Sequence, residues 1–213
     1  MHVTVFGGTG GTGVECIKQL LAADHSVAAL VRSPEKLSDE IKVDPNFTMH
    51  VGNVLEEKEC EKALAESNIV IVALGGNMRA PADQKSICRT AQPVINKAVN
   101  AACADARVIA VSSLGTGDSY QHINWMTRKF VDWVLYEQIA HKEVQEASIK
   151  DTIRTWTIVR PGGLTDGASI GKWEASRTVS GGRISRADVA KFIIQECLTG
   201  DKWQNRAVSI VSK

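Results

Sequence analysis

Short apolar runs recur along the chain at Val3–Phe6, Val27–Val31, Phe47–Val51, Ile69–Leu74, Val108–Ser112, Thr157–Val159 and Ala207–Val211. Each has the length and composition of a strand buried on both faces. Between them the apolar positions fall at helical spacing, which predicts helices over Gly13–Ala23, Glu56–Glu66, Ala91–Ala104, Trp125–Ser148 and Arg186–Leu198. In the first of these, Val14, Ile17, Leu20 and Leu21 make one face, with Cys16 near it. Strands that alternate with helices pair in parallel through crossovers. The pattern therefore predicts an α/β fold, a parallel sheet with helices on both faces.

Three less regular pieces, Gly75–Ser86, Leu114–Asn124 and Gly162–Ser185, follow the fourth, fifth and sixth strands. Ligands of open α/β sheets sit beyond the carboxyl ends of the strands, so these pieces are expected to surround a substrate. The third, residues 162–185, is the longest and is expected to form a small substrate-facing cap. No repeat, low-complexity tract or linker divides residues 1–213, which read as one domain.

Composition narrows the function classes. With 213 residues, 44% of them hydrophobic, the chain can bury a sizeable core, and no apolar run approaches membrane-spanning length. A net charge of +1 gives no reason to expect nucleic acid or a lipid surface as a partner. Met1 leads straight into the first strand, without a basic segment and apolar leader. Cys16, Cys60, Cys88, Cys103 and Cys197 form no Cys-x-x-Cys pair, and the five histidines show no metal-ligand spacing. Idle thiols, a cytoplasmic location and no metal are expected.

The chemistry begins in "VTVFGGTGGTGVECIKQLL", where five glycines and two threonines fill the seven residues from Gly7. A strand, a glycine turn and a helix N-terminus together form an anion site, because unpaired N–H groups and the helix dipole point at the turn. Gly7, Gly10 and Gly13 stand at Gly-x-x-Gly-x-x-Gly spacing, one residue longer than the usual dinucleotide fingerprint between the first two glycines. No Lys-Ser or Lys-Thr follows, which excludes a Walker loop. The turn is thus assigned to a pyrophosphate held by Gly7, Thr9, Gly10, Gly11, Thr12 and Gly13. A side chain at Gly10 would intrude there, with strain adding if its φ is positive.

Nineteen residues after Gly13, the second strand ends in Arg32, followed by Ser33 and, further on, Lys36. An NAD site favours a carboxylate at this strand end, whereas an arginine pairs with a 2′-phosphate. Glu35 comes only after Pro34, so NADP(H) is the expected cofactor. Asn53, in "HVGNVLE", is placed either to accept from the adenine amino group, with Val54 on the ring, or simply to build a turn. Ala73, Leu74 and Gly75 bring a strand end of little bulk past the nucleotide.

With "FGGTGGTG", "LVRSPEK", "GNVLE", "VSSLG", "TIVRPGGLTDG" and "ISRADVA" in order, the chain resembles the atypical short-chain dehydrogenase/reductases almost from end to end. Within that group it is most similar to the biliverdin reductase B/flavin reductase-like and NmrA-like members. The resemblance implies a doubly wound Rossmann sheet with a short C-terminal substrate-facing part. It also brings Ser112 and Pro161 into the cofactor-binding set. The superfamily's catalytic Ser matches Ser113, and its helical Tyr-x-x-x-Lys places Lys142 at the Lys and Gln138 at the Tyr.

Tyr136 does not replace the missing phenol, because its separation from Lys142 turns the two to different sides of a helix. Gln138 and Lys142 share a face. Reducing an isolated ketone needs a positioned acid, and an amide is not one; a flavin or quinone spreads the hydride's charge and collects its proton from water. In this reading Ser113 hydrogen-bonds the acceptor. Lys142 either offers charge or the ribose contact, or is a solvated helix lysine, while His141 beside it is expected at the surface. Trp125, Met126 and Trp173 are read as an apolar wall for a planar acceptor, as core, or as a partner surface. Two functions follow: an NADPH-dependent reductase of a small conjugated acceptor, or an NADP-binding sensor or scaffold with a protein partner.

Overall fold

In a computed structural model of the chain, which describes residues 1–75 and 85–213, eight strands form one sheet. The order of elements begins β1 (His2–Phe6), α1 (Gly11–Ala22), β2 (Ser26–Val31), α2 (Asp39–Lys42), β3 (Phe47–Val51), α3 (Glu57–Ala63), β4 (Ile69–Val72). It continues with α4 (Ile87–Ala102), β5 (Arg107–Val111), α5 (Trp125–Phe130), α6 (Tyr136–Thr152) and β6 (Trp156–Pro161). The chain closes with β7 (Gly163–Thr165), β8 (Trp173–Ser176), β9 (Arg183–Ser185), α7 (Arg186–Phe192) and β10 (Arg206–Ser212).

The sheet runs β3-β2-β1-β4-β5-β6-β10-β8. All its pairings are parallel except that of β8 on β10. Period-two alternation fills both faces. Val3, Val5, Ile109 and Val111 join α1 and α7 in one core, whereas Phe6, Val108 and Ala110 join α3, α4 and α6 in the other. β1 pairs with β2 on one side and β4 on the other, so the direction of winding reverses there. The crevice at such a reversal is where open α/β sheets bind ligands. The parallel sheet expected from periodicity, doubly wound as the resemblance implies, is the one observed.

Several boundaries differ. The helix expected over 125–148 is α5, a π-helical turn at Val131–Leu135, and then α6. α7 likewise ends in a π-helical turn, Ile193–Cys197. A single wide turn displaces the ladder without disturbing the apolar spacing, which is why periodicity passes over it. Residues 162–185 hold three strands, of which β8 extends the main sheet while β7 and β9 pair separately. Strands of three or four residues are too short to carry an alternation signal. Most of the loop expected at Gly75–Ser86 lies outside the described residues.

No described helix is long and apolar enough to cross a membrane. Burial pushes the thiols of Cys16, Cys60 and Cys197 up to about 12, so all three stay protonated and unreactive.

Candidate active site

The three spaced glycines serve three purposes. Gly7 ends β1 at φ +83°, and a Cβ there would stand 2.7 Å from the Ala73 carbonyl. A Cβ on Gly13 would overlap the Gly7 carbonyl, so its absence lets α1 start against the end of β1. Gly10 caps α1 in an extended conformation, φ −82° and ψ 156°, and its N–H donates to the Gly7 carbonyl at 3.0 Å. With φ negative, no backbone strain adds to a substitution at Gly10. The first N–H groups of α1 precede its first intrahelical bond, from Val14 N–H to the Gly10 carbonyl, and point into the turn.

Beside this turn a cleft of about 350 Å³ runs over the ends of β1, β2 and β4. It is lined by Gly7, Thr9 and Gly10 of the glycine turn, by Arg32, Ser33 and Lys36 after β2, by Asn53 and Val54 after β3, and by Ala73, Leu74 and Gly75 after β4. Among the described residues the lining contains no carboxylate, and no ion pair involves Arg32 or Lys36. Asn53 also builds a turn: its Oδ1 accepts from the Leu55 N–H at 3.1 Å, which engages the atom an adenine amino group would use.

Other expected cofactor residues stand outside this lining. Gly11 is exposed at the start of α1, while Thr12 and Gly13 are buried in its first turn. Ser112 is buried, and its Oγ donates to Glu146 Oε1 at 2.7 Å. Pro161 is buried at the end of β6, with its carbonyl accepting from the Leu114 N–H.

Lys142 corrects the reading of it as a solvated helix lysine. Its Nζ donates to the carbonyls of Leu74 and Val111, both at 2.8 Å, and to Gln145 Oε1 at 2.9 Å. An ammonium has three N–H donors, so all are occupied. Burial lowers its pKa below the ordinary lysine value. Gln145 in turn donates to Gln92, and Gln92 to Asn96, joining α6 to α4. Lys142 thus clamps α6 onto the ends of β4 and β5 as a positioning residue.

Four residues earlier on α6, roughly 6 Å along the helix axis, Gln138 carries a buried Oε1 without a hydrogen-bond partner among the described residues. Tyr136 is 74% exposed, in keeping with its predicted turn away from Lys142. The His141 side chain is only 12% exposed, with Nδ1 buried and without a hydrogen-bond partner among the described residues, so it is not the surface residue expected. Ser113 is half-buried, and its hydroxyl donates to the Leu114 carbonyl at 3.2 Å. The expected apolar wall is not assembled. Trp173 packs edge-on against Phe192 at 5.8 Å within the core, while Trp125 and Met126 are exposed on α5.

Glu146 and Arg160 were missed by sequence reasoning. Arg160 Nε and Nη2 donate to Glu146 at 2.9 and 2.6 Å, and Nη1 to Asp118 at 2.6 Å. Burial alone would raise the Glu146 carboxyl, but hydrogen bonds from Arg160 hold it below the ordinary value. The pair braces Ser112 and the loop after β5. An arginine inside the apolar strand "TIVRP" was the available signal, since a buried charge requires a partner.

A family model described as NAD(P)H-binding matches residues 7–199. Reductase pytE of Aspergillus terreus is 24% identical over 256 aligned residues, covering 98% of this chain and 97% of that protein. Among solved structures, ChuY, an anaerobilin reductase from Escherichia coli O157:H7, superposes with a TM-score of 0.80 at 22% identity, over 100% of this chain and 97% of its own. A short-chain dehydrogenase/reductase from Veillonella parvula, solved in complex with NADP, gives 0.81 at 17% identity, over 99% of this chain and 94% of its own. The structural likenesses are likenesses of fold, whereas the family match spans the glycine turn and nearly all that follows it. The chain belongs to the NAD(P)H-binding family, on a Rossmann-like fold.

Proposed function

We propose that this protein is an NADPH-dependent reductase of a small conjugated acceptor such as a flavin or quinone. The observation that carries the reading is the cleft: its lining joins a glycine cradle to Arg32 and Lys36, with no carboxylate among the described residues. The donor set fits the dinucleotide. N–H groups at the start of α1 would take the pyrophosphate, Arg32 and Lys36 a 2′-phosphate, and the small residues Ala73 and Gly75 leave room beside β4.

The bound cofactor supplies a hydride. Ser113 orients the acceptor, and Lys142 holds α6 and the ends of β4 and β5 in fixed relation. Gln138 faces the acceptor with an amide that cannot act as an acid, so the reduced acceptor takes its proton from water. That suits a substrate whose added charge is delocalised.

A second reading, an NADP-binding sensor with a protein partner, draws support from Lys142, whose donors are all engaged internally. The deciding experiment follows NADPH oxidation with a panel of flavins, quinones and simple aldehydes, with nucleotide binding measured separately. Turnover with a conjugated acceptor supports the reductase; tight nucleotide binding with no turnover on any acceptor supports the sensor.

A further inference from the structure

Arg186 opens α7, but its side chain lies across the start of α1. A Cβ on Gly11 would stand 2.6 Å from Arg186 Cδ and 2.9 Å from Nε, so the arginine stem rests directly on the glycine turn. Gly11 is not among the residues with positive φ. Its conformation does not call for glycine, and what a Cβ there would meet is the far end of the flexible Arg186 side chain rather than backbone. A cation at the positive end of a helix dipole is unfavourable unless an anion shares the place. The first turn of α1 contains no acidic residue. Arg186 is instead paired through Nη1 with Asp166, whose side chain is 88% exposed.

We propose that Arg186 is a phosphate-binding residue of the dinucleotide site, gripping the pyrophosphate over the glycine turn, and that Asp166 is a competing anion which the phosphate displaces. This rests on the nucleotide reading given above. The Arg186 side chain is itself 28% exposed, and an ion pair with so exposed a carboxylate contributes little, whereas a guanidinium binds phosphate oxygens through two parallel hydrogen bonds. Exchanging one carboxylate for a doubly charged pyrophosphate is therefore favourable. Arg186 and Arg32 would then divide the work, one holding the pyrophosphate and the other the 2′-phosphate.

The test measures dissociation constants calorimetrically for NADPH, for ADP-ribose (pyrophosphate only) and for adenosine 2′-monophosphate (2′-phosphate only). Arg186→Gln should weaken NADPH and ADP-ribose about ten- to a hundredfold, the effect of losing charge-assisted hydrogen bonds, and leave adenosine 2′-monophosphate unchanged. Asp166→Asn should tighten ADP-ribose by removing the competitor. Gly11→Ala should push the arginine aside, weakening ADP-ribose in the parent but adding little to Arg186→Gln. Should Arg186→Gln fail to fold, the other two variants decide on the same ligands. An unchanged affinity for ADP-ribose, an equal loss for adenosine 2′-monophosphate, or weaker binding by Asp166→Asn overturns the assignment. A parent protein that binds none of the three ligands overturns the nucleotide reading itself.

Discussion

Replacing Arg160 by methionine tests whether the ion pair under the site is a structural requirement. The side chains of Arg160 and Glu146 are 2% and 3% exposed. The substitution removes both guanidinium bonds to Glu146 and leaves that carboxylate with Ser112 and Lys150 alone. Breaking a buried pair from one side costs about 3–5 kcal/mol. At roughly 2–4 °C per kcal/mol for a domain of this size, the midpoint of thermal unfolding should fall by about 6–20 °C. Arg160→Met with Glu146→Leu removes both charges and should recover most of that loss.

The pH dependence follows from the same pair. In the parent, Glu146 is held below the ordinary carboxyl value, and Asp118 is held at about 2 despite its partial burial, through Arg160 and Arg177. Depressed carboxyls contribute stability above their unfolded pKa and lose it as pH falls through the folded one. In Arg160→Met, burial without the guanidinium raises Glu146, which then accepts a proton and sheds its unpaired charge. The gap between parent and variant should therefore narrow from pH 7 toward pH 4. Urea unfolding across that range is the assay. A loss of less than about 1 kcal/mol at pH 7, or a gap that widens in acid, would refute this account of the pair.

Titration should show tighter binding of NADPH than NADH, and Arg32→Ala should remove most of the preference; equal affinities in the parent would rule out the 2′-phosphate assignment, and an undiminished preference in the variant would move it to Lys36. Gly10→Val should fold, because Gly10 has an ordinary extended conformation, yet bind nucleotide more weakly. Gly13→Ala should instead lose about 1–3 kcal/mol of stability from the overlap with the Gly7 carbonyl, so a Gly13→Ala variant unfolding like the parent would contradict the close approach of α1 to β1. The parent should reduce flavins or quinones at least about a hundredfold better than an unconjugated ketone, the contribution expected of a missing acid. Gln138→Tyr should narrow that ratio, and efficient parental reduction of a simple ketone would demand another acid, with Ser113 the first candidate.

Local physics makes the scaffold legible in the amino-acid sequence. Strand and helix periodicities are properties of neighbouring residues, and Gly7 and Gly13 announce backbone approaches that any side chain would obstruct. Parallel pairing follows from the alternation of elements, whereas the reversal of winding beside β1, and hence the cleft, appears only in the pairing of β1 with both β2 and β4. What tertiary structure decided is the meaning of each charge. Lys142 reads equally as an exposed helix lysine or an active-site cation until the ends of β4 and β5 are seen to supply its acceptors. Glu146 acquires Arg160 only because α6 and β6 lie side by side, and Trp173 belongs to the core only because β8 turns back along β10. Arg186 and Gly11, near opposite ends of the chain, meet only because α7 packs against α1. A sequence lists donors, acceptors and apolar groups with their local spacing, but their electrostatic and packing energies depend on through-space distances that the crossing of distant elements sets.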